Sequence, residues 1–171
     1  KVLALAEDRF ENLSQELMRD KLLLFLLSNN SASAKLIAEE MIMQFQGEEK
    51  NAQTAWANAM LARSLLNETN VQEVLDQVLD ASLVNSNDAV IHYILGELYS
   101  YRDQIPEALD SFGKARQLDY RWLAANVAYA RTLVAAGRPR ESLPIARDSM
   151  LISPKGMVEP FLLYSDILLL V

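Results

Sequence analysis

Six residue positions recur at an interval of 34 with no insertion between them. Leu61, Ala62, Leu65, Val74, Val78 and Ala81 become Leu95, Gly96, Tyr99, Ala108, Phe112 and Ala115, and then Tyr129, Ala130, Leu133, Ser142, Ala146 and Ser149. Every slot is large and apolar or else small. Small residues at Gly96, Ala108 and Ala115 let two helices come close, and Leu95, Tyr99 and Phe112 fill the space beside them. A unit of this length is a helical hairpin that cannot bury its apolar face alone, so its neighbours must stack on it. The boundaries carry helix signals. Asn87 and Asp88 precede a helix expected from Ala89. Pro106, with Glu107 beside it, suits a first helical turn. Gly137 ends a helix expected to start near Leu123.

The segments "HYILGELY" (His92 to Tyr99), "ALDSFGKA" (Ala108 to Ala115) and "GRPRESLPIARDSMLISP" (Gly137 to Pro154) carry the pattern most fully. With their spacing they resemble the tetratricopeptide repeat family. The resemblance covers residues 55–156, with the start of another unit running through Val171. It implies an all-α fold, a right-handed superhelical array of antiparallel helix pairs in one domain. Residues 1–54 would be irregular N-terminal helices with a degenerate repeat, 55–156 three repeats, and 157–171 the uncapped start of a further one. It also implies a non-enzymatic scaffold whose first helices line a concave groove for a partner protein, peptide or helix. Carried over position by position, the groove residues are Trp56, Arg63, Tyr93, Glu97, Tyr101, Arg131 and Phe161. One subfamily clamps a C-terminal carboxylate with Lys and Asn. The matching slots here hold Ala59 and Arg63, Tyr93 and Glu97, and Val127 and Arg131, so that mode is not expected.

The first fifty residues are less regular. Leu3, Ala6, Phe10, Leu13 and Leu17 are spaced as an amphipathic helix that either runs on through Leu27 or breaks near Asp20. "SNNSAS" (Ser28 to Ser33) reads as a turn with N-cap candidates, and Ile37, Met41 and Phe45 mark another helix. "GEEKN" (Gly47 to Asn51) separates this region from the regular array.

Catalytic chemistry finds little support. The chain has no Cys and one His, which excludes disulfides, thiol catalysis and multi-His metal sites within it. Its five glycines stand alone, so no phosphate-binding loop exists. His92 sits in a slot where the resembling family often has a large aromatic, and it is expected to pack between helices. Glu39/Glu40 and Glu48/Glu49 read as solvated carboxylates, because adjacent helical residues point about 100° apart. No cofactor or metal is expected. The net charge of −7 argues against nucleic acid. Arg138, Arg140 and Arg147 read as a solvated face, with Glu141 and Asp148 alongside. "LLLFLL" (Leu22 to Leu27) is too short to span a membrane. "DILLLV" at the end lacks the polar outer face of a capping helix. The alternative function is therefore a self-associating assembly module, a possible homo-oligomer through that apolar end, or a regulatory domain of a larger chain.

Overall fold

A computed structural model describes residues 16–44, 52–67 and 69–171, and every regular element among them is a helix. The helices are α1 (16–27), α2 (Ser31–Gln44), α3 (Ala52–Ser64), α4 (Val71–Val84), α5 (Ala89–Tyr101), α6 (Ile105–Leu118), α7 (Leu123–Ala135), α8 (Pro139–Ile152) and α9 (Glu159–Leu168). The expectations placed on Leu3, Ala6, Phe10, Leu13, Phe45 and the segment 47–51 lie outside the described residues. Helix α1 runs unbroken past Asp20. Helix α2 starts inside the expected turn, where Asn30 Oδ1 accepts a hydrogen bond from Ser33 N at 3.2 Å.

The chain divides into two compact units, Lys1–Ser86 and Asn87–Val171. In the first, α2 packs on α3 and α3 on α4. Leu22, Ala34, Ala38, Met41, Trp56, Met60 and Val78 are buried there. In the second, each helix from α5 to α9 packs on the next, and α9 also touches α7. The core of its later half joins Val127, Ala130 and Leu133 of α7 to Ile145 and Ala146 of α8 and to Leu163 and Ile167 of α9.

The recurring slots explain the hairpins. Ala108, Phe112 and Ala115 line the buried face of α6. A Cβ placed on Gly96 would lie 2.5 Å from the Phe112 ring, so α5 and α6 meet at a spacing only glycine allows. Burying Phe112 contributes roughly 2–3 kcal/mol. In the third copy Ser142 and Ser149 replace the two alanines and are fully buried. Their hydroxyls donate to Pro139 O and Ile145 O within their own helix, at 3.0 and 2.8 Å, which satisfies the added polar group without a partner helix.

The turns repeat as well. Helix α7 ends with Gly137 at φ 73°, while Arg138 N donates to Leu133 O and Gly137 N to Val134 O. This paired bond pattern is the Schellman ending, which needs a left-handed residue. Helix α5 ends the same way 34 residues earlier. Gln104 N bonds Tyr99 O, Asp103 N bonds Ser100 O, and Asp103 takes φ 58°. Asn29 does this after α1. The inter-helix glycine missing from the middle copy is thus replaced by an aspartate in the same backbone state. A side chain is disfavoured there, so Asp103→Gly is expected to raise stability by roughly 0.5–1 kcal/mol in a urea titration.

Candidate partner-binding face

The residues expected to line a groove fall in both units. Trp56 and Arg63 stand on α3, whereas Tyr93, Glu97 and Tyr101 stand on α5, Arg131 on α7 and Phe161 on α9.

Trp56 is 1% exposed and presents no surface to a ligand. The Arg19 guanidinium of α1 lies 4.5 Å from its ring centroid, a cation–π contact that covers the indole face. No described residue accepts from its buried Nε1. Arg63, in the last turn of α3, is half-buried.

In the second unit, Tyr93 is half-buried against two rings, Phe112 at 5.6 Å and Trp122 at 4.8 Å. It ties the middle of α5 to α6 and to the residue that caps α7. Glu97 is half-buried one turn further on. Tyr101 is 55% exposed and Phe161 50% exposed. Arg131 is exposed and donates to Glu159 of α9 at 2.9 Å. The exposed side chains of α5, α7 and α9 thus include two of the expected aromatics, Tyr101 and Phe161, and one ion pair that bridges α7 and α9.

Sequence reasoning missed the polar network that holds this face in register. Asn126 is 1% exposed, at the slot that holds His92 one repeat earlier. Its Nδ2 donates to Tyr120 O at 2.8 Å and Trp122 O at 3.0 Å, and its Oδ1 accepts from Arg116 Nε at 2.8 Å. One side chain thereby joins the end of α6, the connecting turn and the first turn of α7. The only signal for it in the chain is a polar residue in a slot expected to be large and apolar. His92 is itself 6% exposed within α5, in the packing position expected for it.

Two further arginines pair with acidic neighbours on the surface. Arg138 donates to Glu141 through Nε at 2.7 Å and through its terminal nitrogen at 2.6 Å. That pair raises the Arg138 pKa and holds the Glu141 carboxyl below its ordinary range. Because the folded Glu141 value is depressed, what the pair contributes is present at neutral pH and lost as pH falls through that value. Arg147 lies 3.4 Å from Asp148. Among the described residues no three His, Asp or Glu side chains are grouped to hold a metal ion, and no helix is long and apolar enough to cross a membrane.

No protein-family model and no curated protein sequence matches the chain. Solved structures do. TTC0263, a thermophilic TPR protein of Thermus thermophilus, is 17% identical with a TM-score of 0.66 over 91% of this chain and 81% of that one. PilF of Pseudomonas aeruginosa is 16% identical with a TM-score of 0.68 over 92% and 69%. YrrB, described as a TPR protein with an unusual peptide-binding site, is 17% identical with a TM-score of 0.56 over 83% and 70%. The class defined by the helices, their spacing and these likenesses is the tetratricopeptide-repeat fold, an all-α helical repeat.

Removing the Asn126 side chain takes a donor from Tyr120 O and from Trp122 O and an acceptor from Arg116 Nε. Asn126→Ala is expected to cost about 1–3 kcal/mol in a denaturant titration.

Proposed function

We propose that this protein is a non-enzymatic scaffold that holds a partner peptide or helix in a groove on the first-helix face of its repeats. The observation that carries the reading is the combination of exposed Tyr101 and Phe161 with the Arg131–Glu159 pair. Tyrosine and arginine are among the side chains that concentrate binding energy at interfaces. Both members of the ion pair are more than half exposed. Such a pair contributes at most about 1 kcal/mol. Arg131 can therefore exchange Glu159 for a carboxylate or carbonyl on a partner at little cost.

In this reading Glu97 orients a donor on the partner. Tyr93 supports the floor of the groove through its two ring contacts, and Phe161 closes one end. In the first unit, Arg63 holds the matching repeat position on α3, where Trp56 serves as packing. The resemblance of YrrB, whose description includes a peptide-binding site, supports a peptide as the partner class.

A peptide selected from a random display library on the intact chain provides the probe. Tyr101→Ala with Arg131→Glu is expected to weaken its binding at least about tenfold, or about 1.4 kcal/mol, with the far-ultraviolet circular dichroism unchanged. Equal affinity for the folded variant would place binding on another surface.

A further inference from the structure

Helix α9 takes the place of a first helix in a fourth repeat, yet one slot differs. The position that lets the second helix of a hairpin approach is Ala62, Gly96 and Ala130 in the preceding copies. In α9 it is Tyr164, half-buried and packed against the core formed by α7, α8 and α9. At the equivalent point of α5 even a single Cβ would lie 2.5 Å from Phe112. A helix with a large ring at the Phe112 slot therefore cannot settle on α9 as α6 settles on α5.

The open face of α9, continued by its C-cap residue Leu169, has a different order. Phe161 (50% exposed), Leu162 (58%), Leu168 (47%) and Leu169 (85%) surround the exposed Ser165. Phe161 and Leu162 lie four and three residues before Ser165, while Leu168 and Leu169 lie three and four after it. The spacing of its apolar residues is the same in both directions from Ser165. A surface of that kind is complementary to itself under a two-fold axis, the requirement of an isologous contact. With two copies of α9 antiparallel about an axis at Ser165, Phe161 and Leu162 of each meet Leu169 and Leu168 of the other. The small serine lets the backbones cross closely. Glu159 is engaged by Arg131 and Asp166 stays at the edge of the stripe in water, so the contact buries no unpaired charge.

We propose that the protein self-associates as a two-fold dimer through antiparallel α9 helices. A ten-residue helix offers less than the roughly 800 Å² per partner of a standard interface, so the dimer is weak and reversible. The proposal does not need the groove reading. Phe161 belongs to both surfaces, so a groove peptide and a second copy compete if both hold.

Sedimentation velocity of the intact chain from about 10 µM to about 1 mM is the test. The expected result is a mass rising from 19.2 kDa towards twice that value. Leu162→Glu with Leu168→Glu should stay monomeric with unchanged helical circular dichroism. The chain has no Cys, so Ser165→Cys provides an independent readout. Under mild oxidation it should form a disulfide-linked dimer faster than Lys155→Cys. A constant monomer mass up to the highest concentration would overturn the proposal. So would a dimer that survives the double substitution while Ser165→Cys links no faster than the control.

Discussion

A Cβ at position 96 would overlap the ring of Phe112, and this sets how far apart α5 and α6 stand. Neither residue could be chosen alone. The aromatic ring needs an empty place opposite, and the glycine, a poor helix former, is tolerated because the ring fills that place. Copies on either side meet the same demand with Ala62 and Ala130, which are 2% and 0% exposed. On the second helices Ala108 and Ala115 are fully buried, and Ser142 and Ser149 repeat them with hydroxyls turned back to their own helix. Close approach at small residues is thus the recurring constraint, and large side chains fill what remains.

Packing of this kind tolerates slippage unless something fixes the register. In the second unit two devices do so. The left-handed residues Asp103 and Gly137 set the angle at which the chain leaves α5 and α7. Asn126 then binds the end of α6 to the start of α7 with three hydrogen bonds in a buried setting. A fully satisfied polar network specifies one arrangement, because any other leaves its groups unpaired. With those helices held, the outward residues Tyr101 and Arg131 keep a constant disposition, which a binding face needs.

How much of this was legible in the chain follows from which interactions are local. The 34-residue spacing, the small slots, the Asp88 cap and the Gly137 ending are short-range features, and each reappears at its expected residue. Asp88 accepts from Val90 N and Ile91 N at 2.9 and 3.2 Å. Trp56 illustrates the limit. Its position along α3 pointed to the groove, but it is 1% exposed, with one indole face covered by Arg19, a residue of α1 that the repeat pattern does not reach. Asp103 was unreadable for another reason. Its left-handed backbone comes from the two hydrogen bonds that close α5, and aspartate adopts that state less often than glycine does. The Arg131–Glu159 pair joins residues on different helices, so only the stacking of α9 beside α7 brings them together.

The central claim is that Gly96 and Phe112 act as one unit, and a double-mutant cycle on stability measures that directly. Gly96→Ala is predicted to cost roughly 1–3 kcal/mol in the native background, despite the better helix propensity of alanine. With Phe112→Leu already present, the same change should be neutral or stabilising, giving a coupling energy above about 1 kcal/mol. Additive effects, with Gly96→Ala stabilising in both backgrounds, would contradict the account and place the spacing of the hairpin under some other control.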